Sequence, residues 1–141
     1  HQYGYKNFSK KQINSVKYLS LKLAKKYKIR REHYLGHSDI APDRKKDPGE
    51  KFPWEFLSKY RIGMWHSLNK KILKKYRLKN INNLDNQIFL KNLIKIGYSF
   101  KKNKVNSISF TIRAFQRRFR PQLINGKSDL ECLKIAKNLI K

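Results

Sequence analysis

Between Leu35 and Trp54 the chain reads LGHSDIAPDRKKDPGEKFPW, twenty residues that hold three prolines, three aspartates and one histidine with almost no apolar periodicity. Pro42, Pro48 and Pro53 each lack a backbone donor and push the preceding residue out of the α region. The stretch is therefore predicted to be a long loop. Structureless segments of that length in a compact domain are usually functional or disordered. This one carries imidazole nitrogen and carboxylate oxygen, the donors that a hard or borderline metal ion accepts.

The flanking sequence reads as helices. Ser9 and Gln12 make a predicted capping box, and behind them Ile13, Val16, Leu19, Leu23 and Tyr27 recur every three or four residues. That pattern is one apolar face of a helix from about 10 to 28, with lysines on the other face. HYLGH (33 to 37) is predicted to be a short strand that delivers His37 to its end, a usual place for a functional side chain. Residues 54 to 60 read as a short helix begun at Pro53. From 61 to 82 the character changes, as RIGMW gives way to the basic run NKKILKKYRLKN, and a boundary between two units is expected there. Three further helices follow, at 84 to 96 closed by Gly97, at 107 to 119, and at 128 to 140 opened by a capping box of Ser128 and Glu131. Ile108, Ile112, Phe115 and Phe119 fall on one stripe, and both phenylalanines are expected in the core.

Charge limits the partners. Lys plus Arg is 35 against 9 for Asp plus Glu, a formal charge of +26, which suits nucleic acid, anionic lipid or an anionic cell wall. Many asparagines and isoleucines accompany the lysines, so an AT-rich coding bias is expected to be the main source of the charge. Basic runs around Tyr76 fit a nucleic-acid-binding protein as one alternative. No recognition helix or RNA-binding motif accompanies them, and no nucleic-acid partner is expected. Cys132 is the single cysteine, which excludes an intramolecular disulfide and a thiolate cluster, and it is expected to pack inside a helix. No run approaches the ~18–20 apolar residues of a membrane span. The opening HQYGYKNFSKKQ lacks the charged-then-apolar order of a secretory signal, and a chain that opens on His is expected to be processed or incomplete.

His37 and Asp47 stand ten residues apart on the proline-rich loop, close enough in chain to reach one ion. Both side chains bind Zn²⁺ at about 2.0–2.2 Å, and a catalytic zinc typically takes three protein ligands and one water. By spacing alone, a surface loop with turn-capping aspartates and solvated lysines stays open as the alternative. Lys45 and Lys46 would repel a cation unless a developing anion lay between them and it, which points to hydrolysis. Asp39 is expected to fix the loop through backbone donors. Trp54 is expected to be a buried aromatic or a cleft wall, and Met64, Trp65 and His66 to pack at the junction between units.

GHSDIAP, followed by RKKDPG and FPW, resembles the motif of zinc-dependent N-acetylmuramoyl-L-alanine amidases of the AmpD/AmiD family. The resemblance implies that His37 and Asp47 ligate zinc and that Lys45 stabilises the transition state. It implies cleavage of the lactyl–L-alanine amide of peptidoglycan or muropeptides, in the periplasm or cell envelope. AFQRRFRPQLINGKSD (114 to 129) resembles the peptidoglycan-binding module that follows the catalytic domain in the AmiD branch. The expected organisation is the C-terminal part of an amidase domain at 1–66, a linker at 67–82 and a three-helix module at 83–141. The family fold is α/β, yet this chain is expected to be mostly helical, because the family's first zinc histidine and general-base glutamate lie on strands before the matched region. His1 is not the missing ligand by alignment, and Glu32 and His33 lie on the wrong side of the helix. A missing N-terminal part or a partner chain is therefore expected, with weak or no activity from this chain alone. The alternative is a non-catalytic peptidoglycan-binding remnant.

Overall fold

The regular structure is helical throughout the described residues, which in this computed structural model are 6–101 and 105–141; His1 and the rest of 1–5 lie outside them. The element order is α1 (Lys10–Tyr27), a 3-10 turn (Arg31–His33), α2 (His37–Ile40), α3 (Trp54–Ser58), α4 (Lys70–Lys74), α5 (Asn83–Ile96), α6 (Ser107–Phe119) and α7 (Leu130–Leu139).

Local chemistry sets the ends of these helices. Ser9 and Gln12 form the predicted capping box of α1, and Lys28 closes that helix in the left-handed region. Asn82 caps α5, which ends on Gly97 at φ 115°, a conformation that glycine adopts without a Cβ penalty. The capping box predicted at Ser128 is displaced by one residue. Asp129 accepts from Cys132 N, while Ser128 turns to Asn86 and the Glu131 carboxylate takes both Arg77 Nε and Nη2, at 2.7 and 2.9 Å.

The strand predicted at 33–37 does not form. Tyr34 and Gly36 are extended, but a strand needs a ladder partner, and no strand occurs among the described residues. His37 instead opens the single turn of α2, so the proline-rich stretch is one helical turn followed by tight turns.

The main core lies in the C-terminal half. Phe89 and Leu93 of α5, Ile112, Phe115 and Phe119 of α6, and Cys132, Leu133 and Ile135 of α7 are buried together. Full burial of such a side chain contributes about 1.5–3 kcal/mol. The segment 67–82 carries α4, sends Leu73 into this core, and is tied to α7 through Arg77 and Glu131. Burial pushes the Cys132 thiol up to about 12, so it behaves as a small apolar group. Helix α1 differs: none of its residues is buried, and Val16, Leu19, Leu23 and Tyr27 are exposed.

Candidate metal and catalytic site

The two ends of the proline-rich stretch are drawn together at Gly36. A Cβ on this residue would stand 2.5 Å from Pro48 Cδ, so only glycine lets the chain pass there. Ser38 N donates to Asp47 O at 3.0 Å, and Arg44 N and Lys45 N both donate to Ala41 O to shape the intervening turn. These bonds bring His37 and Asp47 side by side, with His37 Nδ1 and Asp47 Oδ2 at 2.5 Å. Both side chains open to solvent, at 72% and 38% exposure. Lys45 and Lys46 are also exposed, on the outer side of the same turn.

Asp39 fixes this loop from beneath. It accepts from Gly36 N at 2.9 Å, as expected of a residue that holds backbone donors. Its stronger partners come from the C-terminal half and were not foreseen: Arg118 Nη1 at 2.6 Å and Tyr98 Oη at 2.7 Å. Arg118 and Asp39 are both buried, and a buried ion pair is costly to break because the survivor is left unpaired. Burial, with Asp39 beside it, holds the Tyr98 hydroxyl well above its ordinary pKa, so it stays a donor. Arg118 Nη2 also donates to Tyr34 O, and its guanidinium lies 3.9 Å from the Trp54 ring centroid. Trp54 is thus the buried aromatic of the two expectations, and α6 holds the loop in place. A cavity of about 310 Å³ opens beside the cluster, walled by Leu35, Ile40, Met64 and Ile96.

Trp65 stacks on His66 and packs against the C-terminal core. Burial lowers the pKa of His66. Glu32 and His33 are exposed on the 3-10 turn.

Imidazole nitrogen and carboxylate oxygen are donors of the kind zinc takes. Two donors on one tetrahedral ion stand about 3.4 Å apart when each bond is about 2.1 Å, so a small parting of His37 and Asp47 would admit one. The pair fits two positions of a zinc site. No group of three or more His, Cys, Asp or Glu able to hold a metal occurs among the described residues.

Residues 1–50 match the family model described as N-acetylmuramoyl-L-alanine amidase, Amidase_2. The N-acetylmuramoyl-L-alanine amidase AmiD of Escherichia coli (strain K12) is 33% identical over 135 residues, which cover 95% of this chain and 49% of that protein. The chain is similar to the AmpD/AmiD-type amidases. The solved complex of E. coli AmiD with its substrate anhydro-N-acetylmuramic acid-L-Ala-D-γ-Glu-L-Lys matches this chain at a TM-score of 0.79 and 33% identity, over 95% of this chain and 52% of that one. AmpDH3 of Pseudomonas aeruginosa matches at 0.78 and 30% identity, over 95% and 54%. The chain therefore spans about half the length of the relatives it matches. These likenesses agree with the resemblance drawn from GHSDIAP, and the arginine that anchors the motif lies far outside it, at 118.

Proposed function

We propose that this chain carries the metal loop of a zinc-dependent N-acetylmuramoyl-L-alanine amidase that cleaves the lactyl–L-alanine amide of peptidoglycan or muropeptides in the cell envelope. The observation that supports this most is the adjacency of His37 and Asp47, ten residues apart in chain and 2.5 Å apart in space, at the end of the segment matched by the amidase family. His37 and Asp47 would hold the zinc ion, with a third donor from an upstream part of a longer protein or from a partner chain. When bound, zinc supplies a Lewis acid that lowers the pKa of water to near 7 and polarises an amide carbonyl. Lys45 lies two residues before Asp47 and supplies positive charge where the carbonyl oxygen turns negative, a role whose loss typically costs ~10²–10³ in rate. Asp39, Arg118 and Tyr98 hold the loop so that this geometry persists. Residues 1–66 form part of the amidase domain, 67–82 connect it, and 83–141 form a three-helix wall-binding module.

Two donors retain zinc weakly, and the described residues supply no glutamate beside His37 and Asp47 to take the water's proton. Turnover by these 141 residues alone is therefore expected to be slow or absent. The test is release of free stem peptide from anhydro-muropeptide, with E. coli AmiD measured alongside. Slow, zinc-dependent release that His37→Ala abolishes supports the proposal. Release that is indifferent to zinc or survives His37→Ala overturns it, as does failure of the chain to bind zinc through His37 and Asp47.

One observation favours non-catalytic wall binding as a second function: the α5–α7 core is fully packed while α1 is open. Sedimentation with purified sacculi that is indifferent to zinc and to His37→Ala, without hydrolysis, would select it.

A further inference from the structure

A cleft of about 540 Å³ lies between the outer side of the metal loop and helix α6. The loop contributes Arg44, Lys45 and Lys46, and α6 contributes Arg113 and Arg117, while Phe110 and Ile124 supply apolar wall. Against five cations stand two carboxylates, Asp43 and Glu50, and Asp43 is already met by Lys101 Nζ at 3.1 Å. A concave surface lined by one sign of charge concentrates ligands of the other.

Arg117 makes this more than a basic surface. It is 9% exposed, lines the cleft, and its Nη1 is buried without a hydrogen-bond partner. An unmade bond at a buried guanidinium is costly, whereas a bond to an anionic oxygen is about twice as strong as a neutral one. Desolvation lowers the pKa of Arg117, although the Glu50 carboxylate opposes this. An anion in the cleft would satisfy the idle donor. Arg113, by contrast, is exposed and spends Nη1 on Ile124 O at 3.3 Å.

We propose that the cleft binds a carboxylate of the substrate peptide, with Arg117 as its buried anchor and Arg113, Lys46 and Arg44 as its rim. This rests on the amidase function proposed above. It commits to a carboxylate because the stem-peptide chemistry supplies one close to the scissile bond. A γ-linked glutamate leaves its α-carboxyl free, two residues from the amide that is cut, or about 7 Å of extended chain. Lys45, assigned to the reacting carbonyl, forms one edge of the cleft, so the carboxylate would extend from the scissile bond toward α6. The C-terminal half would then take part in substrate selection as well as in supporting the loop.

The test uses the full chain with zinc and two muropeptides, one bearing free glutamate and one its α-carboxamide, with titration calorimetry as readout. Wild type is expected to prefer the free acid by about tenfold or more, the range for a hydrogen bond to a charged group. Arg117→Met should bind both alike, at the level of the amide, and Arg113→Met, which replaces an exposed side chain, should lose only part of the preference. Inorganic phosphate, titrated separately, reports the cleft without any peptide and should bind wild type more tightly than Arg117→Met. Muropeptides that bind without discrimination between acid and amide overturn the cleft and leave the amidase function standing. Phosphate binding that depends on Arg117, with no muropeptide binding, overturns both the amidase function and the carboxylate assignment.

Discussion

Helices α1 and α6 carry the same kind of apolar stripe and meet opposite fates. In α6, eight of thirteen residues are buried, among them Ile112, Phe115 and Phe119. In α1, eighteen residues long, none is. Both helices have apolar residues at three- and four-residue spacing, and α1 is the better capped. What separates them is the partner: α6 lies in one core with α5 and α7, whereas nothing among the described residues covers the outer face of α1. Periodicity specifies a face, and the rest of the molecule decides whether it is buried.

The largest effect expected from this contrast is at Phe115, whose ring meets Phe89, Tyr98 and Phe119. Phe115→Ala should cost about 4 kcal/mol in urea unfolding. A loss below about 1 kcal/mol would place the core elsewhere. Next is the junction: Asp39→Ala strands Arg118 and Tyr98 and should cost about 3 kcal/mol. It should also raise amide exchange in the 36–49 loop more than in α7. Equal exchange in both would mean that α6 does not hold the loop.

A smaller effect comes from pH. Burial depresses the pKa of His66 below its ordinary 6.5. The unfolded chain therefore binds the extra proton first, and stability present above about 6.5 is lost as pH falls through the lower folded-state value. Melting temperature should decline between pH 7 and 5, less steeply in His66→Gln. An unchanged slope in the variant would assign the decline to other groups. The smallest effect is expected in α1, where Leu19→Ala should change stability by less than about 0.5 kcal/mol. A cost above about 2 kcal/mol would show that this stripe is covered.

The helices were legible because each carries its own signals, such as Ser9 with Gln12, Gly97, and the stripe of α6. Cys132 was legible as an apolar filler. The strand at 33–37 was misread because a short extended run such as Tyr34 to Gly36 becomes a strand only when a neighbour completes the ladder. Ser128 was misread as a cap because the helix begins one residue later, where Asp129 accepts from Cys132 N, while the Ser128 hydroxyl donates to Asn86. His37, Asp47 and Lys45 were assigned through motif likeness, since two donors at a ten-residue spacing do not select a metal by themselves. Arg117 and Arg118 left no usable signal: in a chain with 35 basic residues, nothing local marks the few that turn inward, Arg120 among them. Their burial depends on tertiary packing that brings the loop and α6 together.

The most direct test is a zinc titration of the wild-type chain, of His37→Ala and of Asp47→Ala. One saturable ion per wild-type chain, lost in both variants, is the expected result. No saturable zinc in wild type, or a site that persists in either variant, would contradict the assignment of the loop to metal.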